Sequence, residues 1–112
     1  MSTPLSASAN VEITVEREGD DTVVVAVLGD LEAATAAEVG AVLTRVIVAD
    51  EPPTLVLDLG RVGFIDSAGL GEIVRAHRHL SARGGRLVLR SANETTRTLL
   101  AVTHLTGHLE LQ

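Results

Sequence analysis

Cysteine, tryptophan, tyrosine and lysine are all missing from this chain, and a single phenylalanine, Phe64, is its whole aromatic complement. Without cysteine there is no thiol chemistry, no iron–sulfur ligation and no disulfide bond. That agrees with a reducing compartment, and the expected location is the cytoplasm. No apolar run approaches the roughly 20 residues that span a bilayer, so no membrane partner is expected. Met1 to Ser8 has neither the charged start nor the apolar middle of a secretory leader. Residues 1–9 are expected to be a disordered lead-in, and residues 10–112 to form the folded domain. Nucleic-acid binding usually draws on a basic face, often with stacking aromatics. With a net charge of −6 and no tryptophan or tyrosine, DNA and RNA are not expected as partners.

What the chain does have is aliphatic. At 112 residues it is long enough for one core without metal or disulfide support, and Val, Leu, Ile and Ala must build that core. Val11, Ile13 and Val15 alternate with Glu12, Thr14 and Glu16, which predicts a strand with one wet face. Gly19-Asp20-Asp21 reads as a turn and Thr22 to Leu28 as a second strand, together a hairpin that ends at Gly29-Asp30. From about Glu32 to Ala49 the apolar spacing becomes helical, with Ala36, Val39, Leu43, Val46 and Ile47 on one stripe. Pro52-Pro53 ends that helix.

Thr54 to Leu59 is short and apolar, a buried strand. A second long helix starts near Ser67 with Leu70, Ile73, Val74, His77 and Leu80 inward, and closes at Gly84-Gly85. Arg86 to Arg90 is a further strand. Asn93 can cap a third helix running to about Thr103, with Leu99 and Leu100 inward, and Leu109 to Leu111 adds a short last strand. The order β-β-α-β-α-β-α-β predicts one α/β domain: a mixed sheet, an antiparallel N-terminal hairpin and helices packed on the sheet.

Several chemistries can be weighed against this frame. His77 and His79 stand two apart on a helix and point apart. His104 and His108 have helical spacing, but Gly107 lies between them and no third ligand accompanies them. No metal is expected. Asp58 and Asp66 bracket the strand and turn as a Mg²⁺ pair could. A phosphoacceptor aspartate of the receiver type would also need a lysine to neutralise the acyl phosphate, and the chain has none. No G-x-x-x-x-G-K-S/T loop occurs, so neither a nucleotide nor any other cofactor is expected. Ser67 is not in a G-x-S-x-G elbow, and both His77 and His79 lie too far along its own helix to serve it as base. No enzymatic activity is expected.

The remaining cluster is Phe64-Ile65-Asp66-Ser67-Ala68-Gly69-Leu70-Gly71, where a strand runs through a turn into a helix. Asp66 and Ser67 suit a helix cap. Amides at a helix start lack partners and the aligned dipole favours negative charge, so a phosphate on Ser67 would sit in a favourable field. Gly69 and Gly71 each cost the first helical turns about 1 kcal/mol relative to alanine. They suggest either a surface that another backbone approaches closely or a flexible first turn.

This turn, with Leu55-Val56-Leu57-Asp58-Leu59 before it and Gly84-Gly85-Arg86-Leu87-Val88-Leu89 after it, resembles bacterial anti-sigma factor antagonists of the STAS-domain family. The likeness extends to Gly29-Asp30-Leu31-Glu32-Ala33-Ala34-Thr35-Ala36 and to the helix holding Thr98-Leu99-Leu100, about residues 10–111. It implies a partner switch. Ser67 would be phosphorylated by an anti-sigma factor that is a serine kinase with a histidine-kinase-like ATP fold, and a phosphatase would reverse the step. Asp30, Glu32 and Thr35 would form one edge of the partner-binding surface, with Asp66, Ser67, Ala68, Gly69, Gly71 and Glu72 beside it. Glu32 stands where an aspartate is expected. The chain would be a monomer or weak homodimer. The alternative from the same family is a non-catalytic subunit of a lipid-transport or stressosome-type complex.

Overall fold

The computed structural model describes residues 3–7, 10–103 and 109–112; His104, Gly107 and His108 lie outside them. The strands are β1 (Thr3–Ala7), β2 (Val11–Glu18), β3 (Thr22–Gly29), β4 (Thr54–Arg61), β5 (Arg86–Arg90) and β6 (Glu110–Leu111), and the helices are α1 (Ala36–Asp50), α2 (Ser67–Ala82) and α3 (Glu94–Val102). The strands form one six-stranded sheet in sequence order. β1, β2 and β3 pair antiparallel, and β3 through β6 run parallel. Each helix connects neighbouring parallel strands and each step moves the same way across the sheet. Right-handed crossovers then place all three helices on one face. The expected α/β architecture is the one observed.

Strand alternation decides which residues meet those helices. Ile13, Val25, Leu55, Leu57, Leu87 and Leu89 are fully enclosed with Leu43, Ile47, Ile73, Leu80 and Leu100. The opposite face carries no helix. Its centre is one lateral row, Val24, Val56 and Val88, which forms a separate small cluster. Arg86 and Arg90 flank Val88 on β5 and pair with Glu110 and Glu18.

Two boundaries and one buried stripe differ from the sequence reading. Residues 3–7 were expected in the disordered lead-in and instead form β1 on the outer edge of β2. The segment has no hydrophobic period to announce it. Pro4 is compatible with an edge position because an edge strand leaves some amides unpaired, and the register shifts between Pro4 and Ser6. α1 begins at Ala36 rather than Glu32, because residues 32–35 are held as a turn by Thr35. On α2 the buried stripe runs Leu70, Ile73, Ala76 and Leu80, leaving Val74 and His77 half-buried at its margins.

Candidate functional site

Two loops meet at one end of the sheet: residues 30–35 after β3 and residues 62–66 after β4. They are joined as a miniature parallel ladder. The Leu31 N–H donates to the Phe64 carbonyl at 2.9 Å, and the Asp66 N–H donates to the Leu31 carbonyl at 3.2 Å. Leu31 and Ile65 are buried beneath this junction. Parallel strands end side by side here, so the connections leaving them are neighbours by topology, as at the carboxyl ends of other open α/β sheets.

Asp66 is the hinge-pin of the arrangement. Its Oδ1 accepts the N–H groups of Ala68 at 2.9 Å and Gly69 at 3.0 Å, capping α2. Its Oδ2 accepts the Ala33 N–H at 3.1 Å, from the other loop. The Gly69 amide, with those of Ala33 and Ala68, holds the Asp66 carboxyl below the usual carboxylate range, against an opposing contribution from desolvation. Hydrogen bonds to the ionised form are the cause.

The other predicted residues divide into those that face solvent and those that support them. Ser67 is the first residue of α2 and is exposed; Asp30 and Gly71 are exposed, Glu32, Asp66 and Ala68 half-buried. Nothing lies within 4 Å of where a Gly71 side chain would begin. Gly69 and Thr35 depart from the expected surface role. Gly69 is buried, and a Cβ there would run into the Leu31 carbonyl, so the close approach its hydrogen permits is internal. Thr35 is 1% exposed; its hydroxyl donates to the Asp30 carbonyl at 2.6 Å and accepts the Glu32 N–H at 3.1 Å. Both residues shape the surface from beneath. Glu72 is also turned inward: its side chain is 16% exposed, lies against Gly40 on α1 and pairs with Arg75.

The expected welcome for an anion also changes. Two of the first amides of α2 are already taken by Asp66, so a phosphate on Ser67 would meet a neighbouring carboxylate rather than vacant donors.

Phe64 is an exposed neighbour of these residues that the expected partner-binding set leaves out. It is 46% exposed, immediately before the Ile65–Asp66–Ser67 turn. The signal was available, since a lone aromatic in a chain with an aliphatic core has no packing role reserved for it. Beyond Ser67, a hollow of about 400 Å³ is lined by Leu70, Gly71, Val74, Arg75 and Arg78.

Asp58 and Asp66 do not come together as a metal pair. Asp58 is in register with Ala26 and Arg90 on the bare sheet face and accepts the Gly60 N–H. Among the described residues no group of three or more His, Asp or Glu could hold a metal ion, and no helix is long and apolar enough to cross a membrane.

Comparison with known proteins gives a consistent result. The family model of the STAS domain matches residues 12–112. The anti-sigma-B factor antagonist of Listeria monocytogenes is 31% identical over 103 residues, 92% of this chain and 90% of that protein. An anti-sigma factor antagonist from Mycobacterium paratuberculosis superposes with a TM-score of 0.81 at 30% identity, over 96% of this chain and 89% of that one. Bacillus SpoIIAA in its phosphorylated form superposes with a TM-score of 0.71 at 24% identity, over 89% of this chain and 90% of that one, a likeness of fold.

Proposed function

The chain belongs to the STAS-domain family, and from that premise we propose that it is an anti-sigma factor antagonist switched by phosphorylation at Ser67. The observation that carries this reading is the placement of one exposed hydroxyl, Ser67, at the start of α2. Beside it runs a second loop tied to it through Asp66 and Ala33.

The partner is an anti-sigma factor that is also a serine kinase with a histidine-kinase-like ATP fold. Unmodified, the antagonist docks through Phe64, Ser67 and Gly71 together with Asp30 and Glu32, and the sigma factor is released. In the phosphorylation step the Ser67 oxygen bonds to the γ-phosphorus of ATP, the bond to the β-γ bridging oxygen breaks, ADP leaves and the hydroxyl proton is lost. The chain is here the substrate of a kinase and not itself a catalyst. It acts in the cytoplasm, and a phosphatase hydrolyses the ester to restore the docking form.

The physics of release needs little. A phosphoserine adds about −1.5 to −2 charges, placed next to the Asp66 carboxylate whose hydrogen-bonding capacity is already committed to three amides. A hundredfold loss of affinity corresponds to about 2.7 kcal/mol, and one poorly compensated dianion in an interface can supply that.

The test is incubation with ATP and the cognate anti-sigma factor, followed by mass mapping. A single phosphate on Ser67, absent in Ser67→Ala, is the expected result. A phosphate elsewhere, or none with an active kinase, overturns the assignment.

A further inference from the structure

All the formal positive charge at pH 7 resides in nine arginines. Among the described residues five of them pair with acids: Arg17 with Asp50, Arg75 with Glu72, Arg83 with Glu51, Arg86 with Glu110 and Arg90 with Glu18. Arg97 donates to the Ala92 carbonyl. Of the three left without such a partner among the described residues, Arg61 lines a hollow on the bare sheet face with Glu12 and Asp58, and Arg45 is exposed on α1. Arg78 alone lies on the helix that Ser67 begins.

Its position on that helix is specific. At about 100° per residue, Gly71, Val74 and Arg78 fall within about 40° of Ser67 around the axis. The stripe therefore runs from a hydroxyl, past a residue with no side chain and a half-buried valine, to an unpaired exposed cation. The hollow of about 400 Å³ follows the same stripe, and Ser67 and Arg78 both line it. The chain as a whole carries −6, so its overall field repels acidic surfaces. An exposed guanidinium without a counter-charge is the local exception.

We infer that this stripe is the specificity-determining part of the docking surface, and that it receives an acidic segment of the partner, with an apolar side chain in the hollow and a carboxylate on Arg78. The inference rests on the antagonist reading above and adds to it the chemistry of the partner. It also accounts for why phosphate on Ser67 would not be captured within the chain. Eleven residues at about 1.5 Å per residue put Arg78 roughly 16 Å along the axis from Ser67, beyond the reach of one side chain and beyond the Debye length of about 8 Å. The dianion therefore stays uncompensated by Arg78.

Titration calorimetry of the unphosphorylated chain with its cognate anti-sigma factor, in the presence of ADP, tests this. Arg78→Glu is expected to lose affinity by at least about tenfold, chiefly at low salt, while Arg78→Lys stays within a few-fold. Arg45→Glu makes the same change in net charge on a different helix and is expected to stay within about twofold. Melting curves of the variants should coincide with the wild type, since both arginines are exposed. Equal losses for Arg45→Glu and Arg78→Glu would show general steering instead of a contact, and an unaffected Arg78→Glu would show that no acid is received there; either overturns the inference and leaves the antagonist reading intact. Failure of the wild-type chain to bind at all overturns the antagonist reading itself.

Discussion

The Asp66 carboxylate accepts the backbone N–H of Ala33 at 3.1 Å across 33 residues of sequence. One side chain thus fixes the start of α2 and the loop after β3 in a single geometry. Ala33 and Ser67 belong to different crossovers, and this bond makes their surfaces one rigid patch. Preorganisation of that kind lowers the ordering cost of docking.

Replacement of Asp66 separates its two roles. Asp66→Asn keeps an oxygen that can cap Ala68 and Gly69, but it turns an NH₂ group towards the Ala33 N–H, where a donor faces a donor. The helix should persist while the loop at 30–35 loosens. Hydrogen exchange at the Ala33 amide is expected to quicken with little change at Leu70, and affinity for the anti-sigma factor to fall several-fold. Asp66→Ala removes both roles and should quicken exchange at all of these amides. Unchanged protection at Ala33 in Asp66→Asn would show that the loop is held by other means.

Acid should expose the same bond. The Asp66 carboxyl titrates below its ordinary value of 3.8, chiefly through the Gly69 amide. Glu18 titrates below its ordinary value of 4.5 through Arg90. For both groups the unfolded chain binds more protons than the folded one as pH falls through this range, so stability falls with pH. Their contribution is complete above the unfolded values, near pH 5 and higher, and is lost progressively as pH drops below about 4 through the folded values. Thermal melting from pH 6 to pH 2 should show a steeper acid limb for wild type than for Asp66→Asn. Parallel curves would remove Asp66 from the account.

Ser67 variants separate charge from fold. The side chain is exposed, so Ser67→Ala and Ser67→Glu should change stability by no more than about 0.5 kcal/mol. Ser67→Ala is expected to bind the anti-sigma factor and resist ATP-driven release. Ser67→Glu should bind much more weakly, by roughly a hundredfold if one fixed charge suffices. Tight binding by the glutamate variant would rule out a charge-based switch.

How much of this could be read from the residues follows from which forces are local. The long helices, the parallel strands and the N-caps at Asp66 and Asn93 were legible because periodicity and capping act within a few residues of sequence. β1 was not, because an edge strand of small residues owes its order to the neighbouring β2. The apolar spacing of Ala36, Val39 and Leu43 carries the expected helix back to Glu32; the buried Thr35 hydroxyl, bonded to Asp30 and Glu32, holds residues 32–35 as a turn instead. At the site, the family likeness named two loops that the structure joins, but it could not tell surface from support. Gly69 looks like Gly71 in a motif, and the tertiary approach of Leu31 separates them; Thr35 looks like Ser67, and its burial with bonds to Asp30 and Glu32 sets it apart.

The two glycines give the sharpest contrast. At Gly69 an added methyl meets the buried Leu31 side chain and the Leu31 carbonyl, and the carbonyl cannot move without opening the ladder between the two loops. Overpacking of this sort typically costs about 1–3 kcal/mol, and it would also displace Asp66. At Gly71 the methyl meets nothing within 4 Å, and alanine in a helix is favoured over glycine by about 1 kcal/mol. Gly69→Ala should therefore lower the melting temperature and weaken docking together. Gly71→Ala should raise the melting temperature and still weaken docking, because its methyl stands on the stripe between Ser67 and Val74. A gain in stability joined to a loss of affinity is what marks a residue kept for a partner's approach. If Gly71→Ala bound as tightly as wild type, the partner would have to lie clear of this turn of the helix.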